Sequence, residues 1–452
     1  MPPPATPDEL FDVIDRSGLL TAEVVRTYRP PPGRPTTPDA ILARMTADGV
    51  ITPFHAKHLA GGRYRGFFLT DKYKLLAHLG TGGMGHVYLC EHLLLHRLVA
   101  VKVLQTAVVA ESAGAVERFF REARAVAALD DPNIVRVFDM DRSANAPFMV
   151  MEYVDGATLH ALVAAGGPMT IARAANYARQ AALGLAHAHA AGLVHRDVKP
   201  GNLLVDRAGV VKLVDLGLAR YFTDTAKNKN LTAQFDANNV VGTADFIAPE
   251  QTRDSSAVDI RADIYSLGGT LYYFLAGRSP FEHGTVGQKL EWHQTKPPPP
   301  LANYRKGVPD GLVAVLDKML AKNPDDRYRT PTEVVEALAP WGDRPVPPPT
   351  ADEMPKLSAS AYRLGLSPPP SSVLTRPSAI PLLPAKVRDT PTPPPVIPET
   401  EEAPTLAEPP ASGPVPVPVP HSGNRGWLFA SVVALLLAGV LALWLIFGGA
   451  TR

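Results

Sequence analysis

Two strand-like runs with a tight cluster of glycines between them constrain this chain more than any other feature. The stretch "KYKLLAHLGTGGMGHVYLCEH", Lys72 to His92, sets Gly80, Gly82 and Gly85 in the pattern G-x-G-x-x-G-x-V, ending at Val87. A dinucleotide-binding fold shares such glycines but places them between a strand and a helix. Here β character lies on both sides. The expectation is a hairpin whose bare backbone, with Thr81 and Gly83 in its turn, closes over phosphates.

"RLVAVKVL" follows within one strand length and carries Lys102 among apolar residues. A lysine ending a buried strand is costly to desolvate unless it meets an anion. Nucleotide phosphate and a carboxylate together would satisfy it. Glu122 is the carboxylate candidate, because Phe119, Glu122, Ala123 and Val126 fall at helical spacing and can face that strand. Taken alone, Glu122 reads as a solvated helix charge.

Further on, "LVHRDVKPGNLL" crowds Asp197, Lys199 and Asn202 into one loop between apolar pairs. All are ordinary turn residues, so a solvated turn is the competing reading. "VVKLVDLGLAR" then places Asp215 at the end of another apolar run. Asn202 and Asp215 offer hard oxygen ligands suited to Mg²⁺ held with nucleotide phosphates. Asp197 is left to accept or orient a substrate hydroxyl, and Lys199 to neutralise charge on a transferred group.

The set Gly80, Gly82, Gly85, Lys102, Glu122, "HRDVKPGN", "DLG" and "APE" (Ala248 to Glu250), in this order, resembles a protein kinase. The likeness is to bacterial Hanks-type serine/threonine kinases. It implies an α+β, bilobal fold with a β-rich N-lobe and a helical C-lobe. It also implies ATP and Mg²⁺, or Mn²⁺, as cofactors and proteins as substrates. Lys102 would contact the α/β-phosphates and pair with Glu122, Asp197 would be the catalytic base, and Asn202 and Asp215 would bind metal. Met151 would be the gatekeeper, Glu152 to Val154 the hinge, and Val87, Ala100 and Leu204 the adenine sandwich. Lys199 and Thr243 are placed as in serine/threonine kinases, Thr243 on the substrate platform. Asp263 would anchor the catalytic loop and Arg327 would pair with Glu250. Leu216 departs from the usual D-F-G phenylalanine and leaves the inactive-state geometry open. Arg196 before the base implies activation by loop phosphorylation, with Thr223, Thr225 and Thr232 as candidates.

The flanks carry other signals. "TPDELFDVIDRSGLLT" from Thr6 overlays "TPDAILARMTADGVIT" from Thr37 without gaps, predicting two helix-turn-helix units in a small helical domain over residues 1–66. It reads either as a docking or regulatory module or as a structural extension of the kinase domain, 67–341. His55 and His58 share a helix face but lack further metal ligands. His187 and His189 read as surface or packing residues. Residues 342–424 are rich in proline and predict a disordered spacer. Next come about 21 uncharged residues, Trp427 to Phe447, enough for a membrane-spanning helix of roughly 31 Å in the final segment, 425–452. No signal-peptide pattern opens the sequence. With ATP in the cytosol, these features imply a single-pass, tail-anchored protein with a cytoplasmic kinase domain. Ala430, Ala434, Ala438 and Ala442 recur every four residues and can form a dimerising seam. The net charge of +1 does not point to nucleic acid as a partner, and the lone Cys90 fits a reducing compartment. The rival reading, a non-catalytic scaffold, would be expected to lack Lys102, Asp197, Asn202 or Asp215. All four are present.

Overall fold

The computed structural model describes residues 1–31, 35–82, 85–104, 115–143, 146–216, 242, 244–253 and 258–356, with the side chains of 115–119 and 122 excepted. Gly83, the loop threonines Thr223, Thr225 and Thr232, Thr243, and the apolar stretch Trp427–Phe447 lie outside the described residues. Among the described residues no helix is long and apolar enough to cross a membrane.

The two matched N-terminal stretches each fold as helix, turn, helix. Helices α1 (Pro7–Ser17) and α2 (Ala22–Tyr28) are followed by α3 (Pro38–Ala47) and α4 (Pro53–Ala60). The equivalent threonines Thr6 and Thr37 cap α1 and α3, and Thr21 and Thr52 cap α2 and α4. Gly18 and Gly49 both take positive φ, 66° and 68°, where each chain turns out of its first helix. Leu10, Ile14, Ile41 and Met45 meet in one core with Leu59 and Phe67.

Strands β1 (Tyr73–Gly82), β2 (Gly85–His92), β3 (Arg97–Leu104), β4 (Val137–Ser143) and β5 (Ala146–Glu152) form an antiparallel sheet in the order β1-β2-β3-β5-β4. Helix α5 (Ala115–Ala127) joins β3 to β4. Gly80, Gly82 and Gly85 thus lie at the end of an antiparallel strand pair, with Gly82 opposite Gly85.

The second lobe is mostly helical: α6 (Leu159–Gly166), α7 (Ile171–Ala190), α8 (Pro249–Arg253), α9 (Arg261–Ala276), α10 (Val286–Thr295), α11 (Asp310–Met319) and α12 (Pro331–Gly342). A small sheet joins β6 (Gly156–Thr158), just after β5, to β7 (Leu203–Asp206) and β8 (Val211–Leu213), which follow α7; the loop "HRDVKPGN" leads into β7. Helix α7 runs close against β8: a Cβ on Gly184 would sit 2.8 Å from the Asn133 carbonyl and from Leu213. The alanine-rich face of α7 permits this approach, since Ala174, Ala178, Ala181, Ala182 and Ala188 are all buried.

Residues 343–356 fall in the segment that composition reads as a spacer, yet they are packed. They form a strap on the helical lobe, with Met354 buried and Val346 packed on the same core. Arg173 grips Glu353 through two contacts of 2.6 and 3.2 Å, and Arg207 donates to the Pro355 carbonyl at 2.9 Å. Proline-rich sequence lacks apolar periodicity, so a strap held by two arginines from distant elements leaves no local signature.

Candidate active site

Lys102 sits at the centre of the five-stranded sheet, opposite Val87 on β2 and Met149 on β5. Only 3% of it is exposed, so its ammonium needs a buried partner. It donates to Asp215 Oδ1 at 2.7 Å, closing the gap between the two lobes. Glu122 lies on α5 as its spacing implies, with its side chain outside the described residues. Asp215 takes φ 61°, a left-handed conformation that aspartate tolerates better than most residues. Burial pushes its carboxyl up, but the Lys102 ammonium, with His195 and Lys199 further off, holds it net below the usual carboxylate range. Asp215 is therefore ionised at neutral pH and presents oxygen to the cleft.

The loop below is held from two sides. Asp197 accepts from Lys199 Nζ at 2.9 Å and from Asn202 Nδ2 at 2.9 Å, and Asn202 Nδ2 also donates to the Asp197 carbonyl at 2.8 Å. With its nitrogen committed to Asp197, the Asn202 amide turns its oxygen the other way. Beneath the loop, fully buried Asp263 accepts the His195 and Arg196 amides at 2.8 and 2.7 Å. Those bonds hold Arg196 at φ 66°, another left-handed residue beside the site. His195 Nε2 meets the Val214 carbonyl at 3.0 Å, tying the loop to the strand that delivers Asp215.

Sequence reasoning missed part of this anchor. His189, read as a surface or packing residue, bonds Asp263 Oδ2 through Nε2 at 2.8 Å. Gln251 also went unremarked; it accepts from Ala248 N and donates to the Arg196 carbonyl at 2.8 Å. The pairing of Arg327 with Glu250 is present and bidentate, at 2.6 and 2.9 Å.

The glycines divide by physical need. A Cβ on Gly85 would lie 2.0 Å from the Val103 carbonyl, so packing against β3 forbids one. At Gly80 and Gly82 a Cβ would meet no described atom within 4 Å. Packing among the described residues therefore does not require glycine at either position. Ala100 pairs with Met151 across β3 and β5, and Val87 faces Lys102 across β2 and β3. Leu204 lies on β7, and Val154 is buried just past the end of β5. Glu152 binds Lys212 at 3.1 Å. Leu216 is buried in an apolar recess with Val126, Val135, Met149 and Met151, so leucine fills the position the resemblance gives to phenylalanine.

The His55–His58 pair does not form a metal site, because both nitrogens of His55 are committed to backbone groups, Thr52 N and the Leu75 carbonyl. Cys90 is fully buried and burial raises its thiol pKa, which leaves it unreactive.

The family model described as "Protein kinase domain" matches residues 73–338. The chain belongs to this family. The chain is 39% identical over 318 residues to the serine/threonine-protein kinase PknB of Mycobacterium tuberculosis, covering 70% of this chain and 49% of that one. It is 35% identical over 262 residues to the serine/threonine-protein kinase PrkC of Bacillus subtilis, covering 58% and 39%. The chain thus spans about half the length or less of these curated relatives. A solved structure, the PknI kinase domain of Mycobacterium tuberculosis, covers 61% of this chain and 99% of its own, at 26% identity and a TM-score of 0.49.

Proposed function

We propose that this chain is a serine/threonine protein kinase that transfers the γ-phosphoryl group of ATP to Ser and Thr hydroxyls of proteins, its own activation loop included. The observation that carries this reading is the convergence of Lys102, Asp197, Lys199, Asn202 and Asp215, from three separate segments, on one cleft. The donor set fits ATP with Mg²⁺: a buried ammonium, an ionised carboxylate, an amide oxygen, and a glycine hairpin open at Gly80 and Gly82. When bound, Mg²⁺ or Mn²⁺ neutralises phosphate charge, with Asn202 and Asp215 as its protein ligands.

Each remaining role follows from the family resemblance. Lys102 holds the α- and β-phosphates, and Glu152 to Val154 present backbone groups to adenine. The substrate hydroxyl oxygen forms a bond to the γ-phosphorus as the bond to the departing ADP oxygen breaks. Asp197, held by Lys199 and Asn202, takes the hydroxyl proton, and Lys199 offsets charge on the phosphoryl oxygens. By resemblance, Thr243 is assigned to the substrate platform. Thr223, Thr225 and Thr232 are the loop phosphorylation candidates, with Arg196 positioned to order the added charge.

The apolar segment Trp427–Phe447 anchors the chain in a membrane with the kinase domain on the cytoplasmic, ATP-containing side, and its alanine repeat supports a homodimer. The test is phosphoryl transfer from ATP-Mg²⁺ to the chain itself and to a basic protein substrate, with Asp197→Ala in parallel. Phosphothreonine mapped on the parent alone is the expected result. No transfer by a folded, ATP-binding parent would overturn the kinase reading. Retention in the membrane fraction after alkaline extraction tests the anchor.

A further inference from the structure

β1 is an edge strand, and an open edge presents unpaired N–H and C=O groups. On the side of β1 away from β2, those groups are met by the N-terminal helical domain and the segment that leaves it. The Tyr73 carbonyl accepts from Leu69 N at 3.0 Å, and Leu75 N donates to the Phe67 carbonyl at 2.8 Å. The Leu75 carbonyl meets His55 Nε2 at 2.5 Å. His55 Nδ1 accepts from Thr52 N at 3.2 Å, so Nε2 carries the hydrogen and is the donor. Two more contacts cross the same seam. Lys74 Nζ donates to the Leu19 carbonyl at 3.3 Å, and the Phe54 ring packs edge-on to Tyr88 of β2 at 6.2 Å.

The place where this hold falls matters. The register between β1 and β2 slips between Leu75 and Ala77, and again between His78 and Gly80. Such irregularities weaken ladder pairing and re-aim the strand beyond them. They lie between the point that His55 grips and the first glycine of the hairpin. The strand is therefore least restrained by β2 where it leads into the glycine turn, and it is fixed from its other edge just before.

His55 also occupies the third position of the α4 capping box, where Glu or Gln commonly reaches back to the cap amide. A glutamate there would satisfy Thr52 N but would set a carboxylate against the Leu75 carbonyl. Only a side chain that accepts on one side and donates on the other serves both. Burial lowers the His55 pKa to about 4, which keeps the imidazole neutral and able to do both near neutral pH.

We propose that His55 is a positioning residue for the glycine-rich hairpin, and that the N-terminal helices act as a clamp on the nucleotide-binding edge of the N-lobe. The proposal rests on the kinase reading for its activity readout. Its structural readout is independent of that reading.

The experiment compares the full-length chain with His55→Glu, His55→Gln and Lys74→Met. It measures kcat and KM for ATP, together with hydrogen exchange of the β1–β2 amides. His55→Glu should raise KM for ATP by about fivefold, the scale of one lost hydrogen bond, with kcat within about twofold of the parent. Exchange should rise at Lys74 to Val87 and stay unchanged in α7. His55→Gln should restore both, because its amide can accept from Thr52 N and donate to Leu75. Lys74→Met, which loosens the seam without touching either core, should shift both readouts the same way by less. It keeps the test open if the glutamate variant unfolds. Unchanged KM and hairpin exchange in the glutamate variant, or in Lys74→Met should the former unfold, overturn the proposal. So does a KM rise that glutamine fails to reverse. If the parent itself transfers no phosphoryl group, the kinase reading fails, and hairpin exchange alone then decides for or against the clamp.

Discussion

Asp263→Asn tests whether the catalytic loop is held in place from beneath. The buried carboxylate accepts the His195 and Arg196 amides on its two oxygens and also binds His189. Asparagine keeps the shape but has one acceptor oxygen, so one amide is left facing an NH₂ donor. A hydrogen bond to a charged group is worth about 1.5–3 kcal/mol, and a buried donor left unpaired costs about 1–3 kcal/mol. Arg196 stores left-handed strain of ~1–2 kcal/mol that those bonds now hold in place, and its release would offset part of that cost. Because the loop can relax part of this by releasing Arg196, a net loss of about 3–5 kcal/mol in stability is expected. The relaxation displaces neighbouring Asp197, and a 1 Å misplacement can cost on the order of 100-fold in rate. Urea unfolding of the full chain, run beside steady-state kinetics, checks both. The midpoint should fall and kcat should drop at least about tenfold, while KM for ATP changes less because Lys102 and the hairpin lie in the other lobe. Parental values of midpoint and kcat in the variant would refute the reasoning.

Arg327→Ala removes a guanidinium whose side chain is fully buried and leaves the Glu250 carboxylate unpaired, so thermal or urea unfolding should show a loss of about 3–5 kcal/mol. Gly85→Ala drives a Cβ into the Val103 carbonyl and should raise KM for ATP and lower the melting temperature, whereas Gly80→Ala should leave the melting temperature unchanged. Acid titration should weaken the fold in a defined window. Folded His55 and His293 bind protons only near pH 4 and pH 3, against 6.5 for the unperturbed side chain, both through burial. Unfolding takes up protons between those values. Stability is therefore full above pH 6.5 and falls as pH drops towards 4, with His55 alone contributing on the order of 3 kcal/mol. His55→Gln should flatten that slope; an unchanged slope in urea unfolding at pH 4.5 to 7 would contradict the assignment.

The sequence by itself determined the local grammar and most of the site. Thr6, Thr21, Thr37 and Thr52 cap their helices through contacts three residues long, and Gly18 and Gly49 turn the chain because each turn needs positive φ. The glycine hairpin was legible because strand character flanks it on both sides. Asp197, Lys199 and Asn202 sit within six residues of one another, so their chemistry could be read before their geometry. Tertiary structure decided the partnerships between segments far apart in sequence. Lys102 meets Asp215 across 113 positions, His189 meets Asp263 across 74, and Arg173 meets Glu353 across 180. The grip of His55 on Leu75 spans only 20 positions, yet it was equally invisible, since a main-chain carbonyl has the same chemistry in every residue. Periodicity and spacing report which face a residue occupies. A buried charge or a strand edge takes whichever partner the packed chain brings within about 3 Å, and that choice is made only when the core closes.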